Sequence, residues 1–232
     1  MPDTTDDLSL DEARKPVPVL RRSPAAGMEG HDVARLQSEL RRAGLSPGSI
    51  DGILGDRTLA ALAEFAARNS LATPVTAVDT ALWTAILRAG ALAQADAHEA
   101  LARAREQAGA AAQDLATAAQ KLAADQRTQS LPAGADESRA ADHLLGAAQH
   151  WRAAADSWLA SATILAPHAD PDARASKAHA RHLRALDLVR ALATRTVNSL
   201  ALAGKDLDAA GGTDHRERLA ANTLAARALA TV

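Results

Sequence analysis

The chain has 232 residues, a formal net charge of −2 and no cysteine. The missing cysteine excludes disulfides, thiolate metal sites and cysteine nucleophiles, and the near-neutral charge argues against non-specific nucleic-acid binding, which calls for a basic face. Hydrophobic residues make up 47% and aromatics only 2%, with alanine supplying much of the apolar count, so helix is favoured over strand and a packed core in one or two domains is within reach.

Residues 1–22 read as a disordered acidic tail and lead-in. Met1-Pro2-Asp3-Thr4-Thr5-Asp6-Asp7 carries neither the basic n-region nor the apolar h-region of a signal peptide, and no apolar run approaches the length of a membrane span. The expected location is therefore cytoplasmic as synthesised. Pro16-Val17-Pro18-Val19-Leu20 is an extended lead-in, and Arg21 and Arg22 are expected to be a solvated pair.

Residues 23–90 alternate short amphipathic helices with turns. Val33, Leu36 and Leu40 share a helix face, Asp32 suits a helix start, Arg41 and Arg42 the last turn, and Gly44 a stop. Pro47-Gly48 forces a turn. Ile50 is an apolar anchor, Asp51-Gly52 a turn pair in which Gly52 takes positive φ, and Ile53 and Leu54 dip toward the core. Asp56-Arg57-Thr58 opens a second helix with Leu59, Leu62 and Phe65 inward, closed by Asn69-Ser70. Asp79 caps a third helix, with Leu82, Trp83, Ile86 and Leu87 inward and Gly90 as its end.

These residues resemble the peptidoglycan-binding domain family, a three-helix module found beside many bacterial wall hydrolases. The resemblance rests on Gly27, Gly30, Val33, Leu36-Gln37, Leu40, Gly44, Gly48, Ile50-Asp51-Gly52, Gly55, Thr58, Ala61-Leu62, Phe65, Leu71, Asp79 and Trp83. The segment departs from the family where Asp56 replaces Pro, where Ala66 replaces the Gln after Phe, and where Thr76-Ala77-Val78 replaces a Gly-containing turn. The resemblance implies a small three-helix fold and, as ligand, peptidoglycan or its fragments. They would meet a groove beside the central turn rimmed by Gln37, Asp51, Asp56, Arg57 and Thr58, with Arg57 pairing a stem-peptide carboxylate. The same residue types also serve to satisfy backbone groups of a turn and a helix start, and the sequence leaves both readings open.

Residues 91–232 change texture to long alanine-rich helices and resemble no family. Leu101, Ala108, Leu115 and Leu122 recur every seven residues with Ala104, Ala111 and Ala118 between them, the pattern of a small-residue seam facing the bundle. Gln129 to Gly134 breaks that helix. The next carries Leu144, Ala148, Trp151, Ala155, Trp158, Ala162 and Leu165 at alternating spacings of four and three, with the two Trp filling the core against the seam. Pro167 to Pro171 makes a turn. A third helix points Leu186, Val189, Ala193, Val197 and Leu200 inward. Gly204 and Gly211-Gly212 bracket a loop, and Asp214 begins a shorter last helix ending near Ala230. The expected fold class is all-α, a small three-helix domain followed by an antiparallel bundle of three long helices and one short one.

No catalytic or metal pattern emerges. His143 and His150, His179 and His182, His168, Asp142 and Asp156 lack the convergent spacing of a zinc site. Glu99, Glu106 and Glu137 sit in alanine-rich helices without the polar, aromatic-lined cleft of a glycosidase acid. No cofactor, metal or nucleic-acid partner is expected. The reading is a non-catalytic wall-binding protein that anchors or docks a helical bundle or a larger assembly. The alternative is a structural protein of a phage-tail-like or contractile injection particle that uses the same fold for protein contact. Without a leader in the N-terminal residues, the chain is expected to reach the wall by a non-classical route, or to meet it only after lysis, or to bind something else.

Overall fold

A computed structural model describes residues 20–21, 30–71, 77–78, 80–168, 173–209 and 215–231. Expectations for the acidic tail, Arg22, Gly27, the Asp79 cap, the end of the Pro167–Pro171 turn, Gly211-Gly212 and Asp214 fall outside these residues. The elements are β1 (Leu20–Arg21), α1 (His31–Arg42), α2 (Asp56–Arg68), β2 (Ala77–Val78), α3 (Thr80–Thr128), α4 (Gly134–Leu165), α5 (Arg174–Ala209) and α6 (Arg216–Ala230). Among the described residues the protein is all-α apart from one antiparallel ladder, in which Leu20 pairs with Val78 and Arg21 with Ala77. The chain divides into two compact units, Met1–Gln94 and Ala95–Val232.

The first unit builds its core from one face of each of its helices. Val33, Leu36 and Leu40 from α1 meet Leu62 and Phe65 from α2 and Leu82, Trp83 and Ile86 from α3. Helix α1 ends in a Schellman closure: Leu45 N–H donates to Leu40 O (3.0 Å) and Gly44 N–H to Arg41 O (3.0 Å), with Gly44 at φ +80. Helix α2 closes the same way, Leu71 N–H donating to Ala66 O (2.9 Å), with Ser70 in the left-handed position at φ +55.

Two expectations for this unit fail. Gly90 does not end the third helix, since α3 continues to Thr128. An interior helix glycine costs about 1 kcal/mol against alanine, but a Cβ on Gly90 would stand 3.0 Å from Glu39 Oε2 and 3.4 Å from Arg42 Cβ. The glycine is there because α1 passes close to α3. Ile50 and Ile53 do not anchor in the core either, being 44% and 43% exposed, whereas Leu54 is buried. The turn between them is pinned so tightly from below that only one of its apolar residues reaches inward.

The second unit is a bundle of the remainder of α3 with α4, α5 and α6. Along α4, Leu144, Ala148, Ala155, Trp158, Ala162 and Leu165 are buried and Trp151 is half-buried, as the alternating spacing predicts. On α5, Val189, Ala193 and Leu200 are buried, and Leu186 and Val197 half-buried. The seam on α3 is displaced by one residue from the expected one. The buried stripe is Ala102, Gly109, Ala116 and Ala123, while Leu101, Leu115 and Leu122 are 44%, 55% and 47% exposed. Ala104, Ala111 and Ala118 are exposed as well. Both stripes repeat every seven residues, so periodicity alone does not choose between them. Indole volume does: a Cβ on Gly109 would lie 2.6 Å from Trp151 Nε1, and Ala102 packs with Trp158. The tryptophans therefore do pack against small residues of α3, on the stripe that has the least side chain. Gly204 likewise bounds no loop, because α5 runs through it to Ala209. It lies under α6, where Leu219 packs with Leu200 and Ala203.

Nearly uniform alanine surfaces slide easily, and polar latches set the register. Arg127 on α3 bonds Glu137 on α4 (2.7 Å) and Asp206 on α5 (2.8 Å). Arg105 on α3 donates to Ala153 O (2.8 Å) and Ser157 Oγ (2.7 Å) on α4. Asp142 on α4 accepts from Arg218 and from Asn222 Nδ2 on α6.

Candidate functional site

The loop from Pro47 to Thr58 is organised by one buried side chain, Gln37, which is 1% exposed. Its position on α1, one residue after Leu36, aims the amide under the loop. Gln37 Oε1 accepts the Asp51 and Gly52 N–H groups, both at 3.0 Å. Gln37 Nε2 donates toward Asp51 Oδ1 (2.9 Å), Ile53 O (3.0 Å) and Thr58 Oγ1 (3.1 Å). Thr58, buried at the start of α2, donates onward to Pro47 O (3.1 Å). A primary amide is neutral and carries a carbonyl acceptor and two N–H donors on one end, so glutamine satisfies the loop's inward-facing groups without a buried charge.

Gly52 sits at φ +75, and a Cβ there would lie 2.9 Å from Gly30 O. The Gly30 N–H donates to Gly52 O at 2.7 Å. The central turn thus lies backbone to backbone against the start of α1, which requires glycine at 52, while Gly30 is required by its φ of +149, since a Cβ there would meet nothing within 4 Å.

The Asp51 carboxylate is exposed and accepts Ile53 N–H at 3.0 Å. The Gln37 amide, and then the Ile53 N–H, hold its pKa below the ordinary carboxylate range. Asp56 and Arg57 are also exposed, in the first turn of α2. The Arg57 stem lies along Gly48, where a Cβ would approach Arg57 Cδ to 3.3 Å. Arg41 closes the near side, donating to Gly48 O at 2.7 Å.

The five sequence-predicted residues therefore gather at one loop on two levels. Gln37 and Thr58 lie beneath it, buried and hydrogen-bonded to it. Asp51, Asp56 and Arg57 face solvent. Sequence reasoning missed Ile50 and Ile53, which add exposed apolar surface beside Asp51, and Arg41. For the isoleucines the signal was present: a tight two-residue Asp-Gly turn leaves the flanking Ile50 and Ile53 too little chain to turn back into the core.

Elsewhere most of the acidic residues weighed for chemistry, and His182, have structural partners. Asp142 is held by Arg218 and Asn222, Asp156 pairs with Arg152, and His182 Nδ1 lies 2.9 Å from Ala155 O. Glu106 accepts the Trp158 indole N–H (2.7 Å), Glu137 pairs with Arg127, and Glu99 pairs with Arg103 and Arg174. Among the described residues no group of three or more His, Asp or Glu gathers as a metal site would require, and no helix is long and apolar enough to cross a membrane.

No curated protein and no solved structure matches the chain significantly. Residues 29–86, the segment that holds this loop and the three helix faces around it, match the family model described as "Putative peptidoglycan binding domain".

Proposed function

We propose that the protein is a non-catalytic peptidoglycan-binding protein whose ligand lies across the outer surface of the 47–58 loop. Asp51, Asp56 and Arg57 form the polar rim, and Ile50 and Ile53 give apolar contact to sugar rings. Gln37 and Thr58 hold that surface in shape from below. The carrying observation is the two-level loop: its inward polar groups, Asp51 Oδ1 included, are bonded to Gln37, so Asp56, Arg57 and the other Asp51 oxygen are left for a ligand. The family match over this segment supports the ligand class. A guanidinium with its stem braced on Gly48 suits a bidentate contact with a stem-peptide carboxylate. In this reading the alanine-rich bundle is the part that anchors or docks a larger assembly.

The test is sedimentation of the full chain with purified wall sacculi. Wild type should co-sediment, Arg57→Ala should bind several-fold more weakly, and Ile50→Ser with Ile53→Ser should weaken it again without loss of helicity. A folded wild type that stays in the supernatant would end the wall-binding reading and leave the loop as a protein-contact surface.

A further inference from the structure

A second surface, in the bundle, has chemistry of its own. A groove of about 330 Å³ opens where α3, α4 and α5 meet, lined by Arg103, Arg174, Lys177, Arg181 and Arg184, by Trp158 and by one carboxylate, Glu99. Two of the cations are committed. Arg174 bonds Asp96 and Glu99, and Arg103 bonds Glu99 at 2.8 Å. Lys177, Arg181 and Arg184 make no ion pair with a described residue, although they occupy one face of α5 at spacings of four and three. Like charges at those spacings repel, so a counter-charge placed among them is favoured.

The groove also orients one of these groups. The Arg181 guanidinium carbon lies 4.6 Å from the centre of the Trp158 ring and that of Arg103 5.6 Å. The indole N–H is fixed on Glu106 at 2.7 Å, which holds the ring still. Stacking a guanidinium on an aromatic face fixes its plane and leaves its N–H edge unspent. The result is a pre-set fork with two exposed cations, Lys177 and Arg184, beside it, spread over about 10 Å of helix.

We propose that this groove binds a small polyanion carrying two or more phosphate groups. Phosphate is favoured over carboxylate because a terminal phosphate brings more than one negative charge at neutral pH, where a carboxylate brings one. The three cations that pair with no described carboxylate can then be matched inside a space that is small for a ligand site.

Isothermal titration of the full chain with inorganic tripolyphosphate, at fixed ionic strength, tests this. Saturable one-to-one binding is expected. Lys177→Gln with Arg184→Gln, both exposed side chains whose loss removes repulsion, should weaken it at least tenfold, as should Arg181→Gln. Arg190→Gln, on the same helix but paired with Asp187, should leave it within twofold, and citrate should bind at least fivefold more weakly than tripolyphosphate. Absence of saturable heat, an equal loss in Arg190→Gln, or citrate binding as tightly would each overturn the proposal. Circular dichroism of each variant separates lost binding from lost folding.

Discussion

At the residue scale the first unit depends on two positions whose neighbours admit no other side chain. Gln37→Ala leaves the buried Gly52 N–H without its acceptor and Thr58 without its donor. Each unsatisfied buried group costs about 1–3 kcal/mol, so a loss of about 2–4 kcal/mol is expected in chemical denaturation followed through Trp83. Gly52→Ala adds a Cβ 2.9 Å from a backbone oxygen at a φ of +75. Left-handed strain and the forced shift together place its cost at about 2–4 kcal/mol, and a neutral result there would refute the turn assignment. Asp51 makes the pH dependence explicit. Its pKa is lowered in the folded state, first by the Gln37 amide and then by Ile53 N–H. Its contribution is therefore fully present above the ordinary aspartate value of about 4 and lost as pH falls through the lower folded value. Asp51→Asn should flatten that part of an acid titration of stability and lower the neutral-pH plateau, where the carboxylate's contribution is fully present.

At the element scale, what matters is which stripe of a helix is narrow enough to be covered. Leu115 lies on the exposed stripe of α3 and Gly109 on the buried one, and substitutions should separate accordingly. Leu115→Gln is a surface change, expected within about 0.5 kcal/mol of wild type. Gly109→Ala improves intrinsic helix propensity by about 1 kcal/mol yet drives a methyl to 2.6 Å from Trp151 Nε1. Overpacking of that kind costs about 1–3 kcal/mol, so a net loss is expected in thermal melts of the bundle, together with a shift in tryptophan emission. If Gly109→Ala were stabilising, the Trp151 contact would be absent in solution. Helix ends obey equally local rules. Ser130 holds φ +57 where α3 closes with Leu131 N–H donating to Gln126 O at 2.8 Å, the same closure that Gly44 gives α1.

At the scale of the whole molecule, legibility follows the chemistry of each half. In the first unit glycines and Asp-Gly turns mark where the backbone must bend, so Gly44, Gly52 and the faces carrying Leu36, Phe65 and Trp83 could be read from the sequence. Gly90 and Gly204 could not, because a glycine that admits a neighbouring helix has the same sequence signature as one that ends its own. In the second unit the α4 spacing named its buried face, but alanine on both sides of α3 hid which stripe the tryptophans would cover. The site was legible as a set of residues and not as two levels, since depth depends on the Gln37 bonds. Each unit has a core of its own, the first around Phe65 and Trp83 and the second around Leu144, Trp158 and Leu200. Phe65 is 2% exposed in the first core, and truncating a buried phenylalanine to alanine costs about 3–5 kcal/mol. A unit of this size has little more than that in reserve. Phe65→Ala should therefore open the first unit while the second keeps its packing. The measurement is native-state hydrogen exchange read by segment. Amides of α1 and α2 should lose protection by the full amount, and those of α4 and α5 should exchange as in wild type. Equal loss across α4 and α5 would mean that the two cores unfold as one.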